Sequence, residues 1–167
     1  MNSAAPLLAA ARAISFTVSP LPVEFGTRIR ATRRDDFGRT VRPLIAQGWE
    51  PVRDQLRRAT PGEPILLCSY QAVPLPSTFA EIGPVYICAV AAPAPPPWRD
   101  ELPPGYFDRP FALRAYNVAH EIIDAAIVDP AEAPAQIRRW LACDGVAHLH
   151  ARFAGHGCYA CRIDRAE

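Results

Sequence analysis

Lysine is absent from the chain: all 18 basic residues are arginine. This excludes catalysis through a lysine Schiff base and phosphate binding by a P-loop lysine. With 19 prolines and abundant alanine, the bias reads as nucleotide composition rather than function. An excess of either charge is also lacking, since 17 acidic residues leave a formal net of +1. No whole-molecule field would therefore draw the chain to nucleic acid or to an anionic membrane. The longest apolar stretch near the start, Pro6 to Ala11 and past Arg12 to Val18, is far short of the roughly 20 residues that span a bilayer. It has no basic leader in front of it, which argues against a signal peptide. The cysteine count is odd: Cys68, Cys88, Cys143, Cys158 and Cys161. A secreted disulfide framework usually uses even numbers, so reduced thiols in a cytoplasm are expected. A glycine-rich phosphate loop, a His-Glu-x-x-His helix and a Gly-x-Ser-x-Gly elbow are all missing. Asp35 and Asp36 are adjacent, a spacing that pairs no general acid with a base.

What is present suffices for one core. The chain has 167 residues, half of them hydrophobic, which is the size and composition of a single domain. An alanine-rich, flexible segment is expected over residues 1–12 and a single globular domain over 13–167, with a proline-rich internal loop at 93–105. Alternation over Ile14–Ser19 predicts a strand that Pro20 and Pro22 stop. Between Arg28 and Arg58 nine arginines meet four acidic residues, the one local surplus of charge. There Val41, Leu44 and Ile45 suggest a short helix, and Val52, Leu56 and Ala59 a second helical stripe. The continuous apolar runs Ile65–Tyr70 and Val85–Val90 predict central strands joined by an irregular loop. Phe111–Asn117 reads as a strand, and Ile122–Val128 fits helix or strand. Ala135–Ala142 reads as a helix with Ile137, Trp140 and Leu141 on one face. Val146–Arg152 and Cys158–Asp164 flank a glycine-containing five-residue loop and predict a C-terminal β-hairpin. The expected class is α+β: a mainly antiparallel or mixed sheet with a few short packing helices.

The hairpin also carries the candidate chemistry. Strict alternation puts His148, His150 and Arg152 on one face and Ala147, Leu149 and Ala151 on the other. In the returning strand it places Cys158, Ala160, Arg162 and Asp164 together. That register brings Cys158 near His148 or His150, as nucleophile and base. The bland alternative is a small buried thiol beside two hydrogen-bonded imidazoles. His-x-His with His156 or Cys158 could ligate zinc, but Cys158 and Cys161, three apart on a strand, point to opposite faces, and neither a metal nor a cofactor is expected. Arg114 and Tyr116 share a strand face that the sheet can set beside Arg152 and Arg162. Half-buried guanidiniums need anionic partners, either Asp164, Glu63 or Glu121, or a bound carboxylate or phosphate. Phe37 and Trp49 within the arginine-rich region could stack on bases, but no recognisable module accompanies them, so no specific nucleic-acid partner is expected.

Taken in order, Leu67-Cys68-Ser69-Tyr70, Gly83-Pro84-Val85-Tyr86-Ile87, Leu113-Arg114-Ala115-Tyr116 and Gly157 to Arg165 resemble the bacterial domain of unknown function 1203 family, over roughly residues 14–165. The resemblance implies a one-domain bacterial protein and strengthens Arg114, Tyr116, Cys158 and Arg162 as site residues without implying a mechanism. Where many similar proteins have Cys-Arg-x-Cys-Leu, this chain reads Val52-Arg53-Asp54-Gln55-Leu56. Cys88 stands where many have histidine. A metal or redox site built from those groups would be incomplete here.

The functional expectation is a small-anion-binding or regulatory domain with Arg114, Tyr116, Arg152 and Arg162 as ligand-binding residues. One competing account is an enzyme acting on a small acidic metabolite, with Cys158 as nucleophile and His148 or His150 as base. The other is a structural or protein-interaction domain with no ligand site. A cytoplasmic location and no membrane partner are expected, and an exposed Tyr or Trp patch leaves room for a homodimer.

Overall fold

A computed structural model describes residues 14–166, which form two β-sheets and two short helices. The flexible segment expected at 1–12 lies outside the described residues. The larger sheet has six strands: β1 (Phe16–Ser19), β7 (Trp98–Arg99), β8 (Phe111–Tyr116), β9 (Ile122–Val128), β10 (His148–Arg152) and β11 (Tyr159–Arg165), in the order β7-β1-β11-β10-β8-β9. All of its pairings are antiparallel. The second sheet has five: β2 (Arg42–Ile45), β3 (Pro51–Val52), β4 (Arg57–Arg58), β5 (Pro64–Val73) and β6 (Glu81–Cys88), in the order β2-β5-β6-β3-β4. Only β3 and β6 run parallel in it. The fold is thus α+β and mainly β, with the expected strand pair at the C-terminus.

Alternation along the strands explains the main core. Leu113, Ala115, Leu149, Ala151 and Ile163 project from one face of the six-stranded sheet, where helix α2 (Ala133–Leu141) covers them with Ile137, Trp140 and Leu141. Helix α1 (Val23–Thr32) lays Phe25 and Ile29 on Leu66, Cys68, Val85 and Ile87 of the second sheet. Sequence periodicity does not announce this helix, because arginines interrupt it. Arg30 of α1 is tied down by the Asp54 carboxylate and the Cys88 carbonyl, each at 3.1 Å.

The two central strand runs pair with each other as a long hairpin, β5 against β6. Two helix expectations are corrected. Residues 42–45 form an edge strand on β5. Val52, Leu56 and Ala59 are buried as a helical stripe would be, yet their backbone is a tight β3–β4 hairpin with Leu56 at φ 50°. The reason is hydrogen bonding across the chain: Arg53 N donates to Tyr86 O and Ala59 N to Glu50 O. Those bonds hold the segment to its neighbours where a helix would bond only to itself. The ambiguous Ile122–Val128 is the edge strand β9, and the proline-rich stretch contributes only the two-residue β7.

Candidate functional site

The face of the six-stranded sheet opposite α2 is polar, and it is covered. Across β8, β10 and β11 the register sets Tyr116 beside His148, and Arg114, His150 and Arg162 in one row. His148, His150 and Arg152 are each no more than 2 % exposed. The far end of the β5–β6 hairpin covers them by bringing in Tyr70 and Glu81, while His120, from the turn before β9, closes the opposite end. The rings pack in a chain. Tyr116 stacks on His148 at 5.1 Å between centroids, His148 lies 4.9 Å from His150, and His150 meets the Tyr159 edge at 5.2 Å. Burial pushes His148 down to about 4 and His150 down to about 2, helped by the neighbouring guanidiniums, so both imidazoles are neutral at physiological pH.

Regular alternation does not extend through the start of β11. The β10–β11 register shifts between Ala151 and Arg152, so Tyr159 stands opposite Arg152 where regular pairing would place Ala160. The extra residue of this bulge sends Ala160 and Cys161 together into the core against α2. Cys158 is left just outside the strand, half-buried, and its thiol donates to the His156 carbonyl at 3.8 Å. The expected hydrogen-bonded pair of Cys158 with His148 or His150 is therefore not formed. Burial pushes the Cys68 and Cys88 thiols up to about 12 and raises that of Cys161 too, which makes those three poor nucleophiles.

Three of the four expected ligand-binding residues are the arginines, and internal carboxylates meet all three. Arg162 is held by Asp164 through three hydrogen bonds of 2.7–3.0 Å, which raises the pKa of the guanidinium. Glu81 is shared: one carboxylate oxygen accepts from Arg114 at 3.1 Å and the other from Arg152. Glu81 comes from the other sheet, 71 residues from Arg152, and no local sequence pattern pointed to it. Of the other carboxylates considered, Glu63 pairs with Arg57 and Glu121 bonds Asn117.

These pairings leave the cluster incompletely satisfied. Arg152 donates through Nη1 to Glu81 and to the Gly157 carbonyl, but its Nε and Nη2 are buried without a protein acceptor. Tyr116 Oη, His120 Nδ1 and His150 Nδ1 share that condition. Native proteins rarely leave several buried polar atoms unmatched in one place, since each costs about 1–3 kcal/mol. Arg152 also lines a cavity of about 190 Å³, with Tyr70, Glu81, Gly157, Cys158 and Tyr159 among its walls. Three guanidiniums against two carboxylates leave one formal positive charge. Such a site can accept an oxyanion on a fixed guanidinium fork. Among the described residues no group of three or more His, Cys, Asp or Glu side chains is placed to hold a metal ion, and no helix is long and apolar enough to cross a membrane.

No curated protein and no solved structure matches the chain. A family model described as protein of unknown function DUF1203 matches residues 49–165, a span that takes in Glu81, Arg114, Tyr116, His148, His150, Arg152, Cys158 and Arg162. With more than half of its length matched, the chain belongs to the DUF1203 family.

Proposed function

We propose that the protein binds a small oxyanion, a carboxylate or phosphate, in the cavity between the β5–β6 hairpin and the β10–β11 hairpin, in a sensing or regulatory role. The observation that carries this reading is Arg152: a guanidinium 2 % exposed, with two N–H groups unmatched, at the wall of a cavity. Burying that charge beside a single shared carboxylate is costly, and a second anion bonded to the unmatched Nε and Nη2 would offset the cost. The cavity is smaller than the roughly 300–1,000 Å³ usual for drug-sized ligands, which favours an inorganic anion or a short carboxylic acid. Binding is favoured over cysteine catalysis because the thiol of Cys158 has a carbonyl, not an imidazole, as its hydrogen-bond partner.

A crystal grown at low salt and soaked in phosphate tests the reading. Density for the anion is expected within hydrogen-bond reach, about 3 Å, of Arg152 Nε and Nη2. Finding both atoms satisfied by ordered water alone at saturating phosphate would make the arginines a structural network with no ligand.

A further inference from the structure

A second recess lies on the other side of Cys158. It encloses about 890 Å³, within the range of organic-ligand sites. Its walls are aromatic: Trp49, Tyr86, Phe107, Phe111 and Phe153 all line it. Trp49 is 58 % exposed, an unusual state for the largest apolar side chain, and its ring meets Tyr86 edge-on at 6.3 Å. The other component is cationic. Arg53 lies 2 % exposed in the wall, and its guanidinium carbon sits 5.8 Å from the Tyr86 ring and 5.2 Å from that of Phe153. It donates to the carbonyls of Tyr159 and Pro51, at 2.9 and 2.6 Å, and among the described residues no carboxylate lies within ion-pairing distance of it. Arg58 stacks on Phe153 at 5.0 Å, bonds the Trp49 carbonyl at 2.8 Å and pairs with the exposed Asp108 at 3.2 Å.

A buried guanidinium bonded only to neutral carbonyls retains its full charge, and aromatic faces satisfy it only in part. The partner that completes this arrangement has a flat apolar body for the rings and a negative group for Arg53. We propose that this groove is a binding site for a planar aromatic acid, with the ring against Trp49 and Phe153 and the acid group on Arg53. The residues that would hold the acid, Trp49, Arg53 and Phe153, do not line the Arg152 cavity, although the two recesses share Pro84, His156 and Cys158 in their walls. A single-stranded nucleic acid would also use stacking and cations, but one buried guanidinium in a half-open recess fits a single small molecule better than a channel lined by successive backbone-binding cations.

The test is a fluorescence titration of the full chain with 2-naphthoate and with its neutral counterpart 2-naphthamide. Naphthoate should quench Trp49 emission saturably and bind at least about tenfold more tightly than the amide, a difference of about 1.4 kcal/mol. Trp49→Phe should remove the quenching signal, and Arg53→Met should reduce naphthoate to the affinity of the amide. Because Arg53 also braces two carbonyls, that variant could lose its fold; the acid-to-amide ratio on the native chain remains decisive. Equal affinities for acid and amide, or quenching that persists in Trp49→Phe, would overturn the proposal. Inorganic phosphate added as competitor separates the two sites. Naphthoate binding unaffected by phosphate supports two independent sites, and stoichiometric displacement by phosphate would overturn the assignment of the ring to this groove.

Discussion

Replacing Glu81 with Gln is expected to weaken the fold and strengthen anion binding in the same molecule. Glu81 is the only carboxylate that meets Arg114 and Arg152 among the described residues, and Arg152 is buried. Removing one partner of a fully buried pair costs about 3–5 kcal/mol, because the remaining charge is stranded. Glu81 is 41 % exposed, so solvent screens part of the interaction and a loss of roughly 2 kcal/mol is expected. The same change removes the competitor for the guanidinium, and phosphate or a short carboxylate should bind about tenfold more tightly. Anion at about one hundred times its dissociation constant should return some 2.7 kcal/mol by mass action. Urea unfolding of the variant with and without phosphate reads both effects. A purely structural network predicts destabilisation that phosphate does not relieve.

The second large effect is acid lability above the range in which carboxylates protonate. An unfolded histidine takes up its proton near pH 6.5, whereas burial holds His148 at about 4 and His150 at about 2. Below pH 6.5 the unfolded state therefore binds more protons than the folded one, and stability falls as pH falls. Each histidine contributes a slope of up to about 1.4 kcal/mol per pH unit, so the pair approaches 2.7. That stabilisation is complete above pH 6.5 and decays toward the folded values. Glu63, Glu50, Asp35 and Asp100, whose pKa values are lowered, act in the same direction but only below their ordinary values of 4.5 or 3.8. Asp54, raised by burial, works the opposite way. The groups facing the imidazoles are Arg114, Arg152, Arg162, Asp164 and His120, and the arginines oppose protonation. Urea unfolding between about pH 7 and pH 5 should show this slope, and His150→Asn should remove roughly half of it. A flat profile in the native chain would contradict the buried, neutral state of the pair.

Both effects arise from a site whose centre was legible in the sequence and whose boundary was not. Alternation along His148–Arg152 places two imidazoles and a guanidinium on one face, and the same rule puts Arg114 and Tyr116 beside them, because regular antiparallel pairing preserves period 2. One inserted residue defeats that rule in β11, where the bulge opposite Arg152 puts Tyr159 on the imidazole face in place of Ala160 and Cys158. A bulge here has no signature in the residues themselves. Glu81 was equally out of reach, since its contact with Arg152 depends on how two sheets meet and not on spacing within either. The β3–β4 hairpin shows a further limit: Val52, Leu56 and Ala59 are buried as predicted, but burial alone does not distinguish a helix from a tight hairpin held by Tyr86 O and Glu50 O. Helix α2 was readable because Ile137, Trp140 and Leu141 repeat at helical spacing without a competing partner. The aromatic groove draws Trp49, Tyr86 and Phe153 from segments too far apart for any motif to connect them.

The central claim, that Arg152 is an anion anchor held in partial check by Glu81, is tested most directly by calorimetric titration of phosphate into the native chain, Arg152→Lys and Glu81→Gln. The lysine keeps the charge but loses the planar fork. The account predicts affinity in the order Glu81→Gln, native, Arg152→Lys, with each step about tenfold, or about 1.4 kcal/mol. Equal affinities in all three proteins, or no binding to any of them while each remains folded, would contradict it.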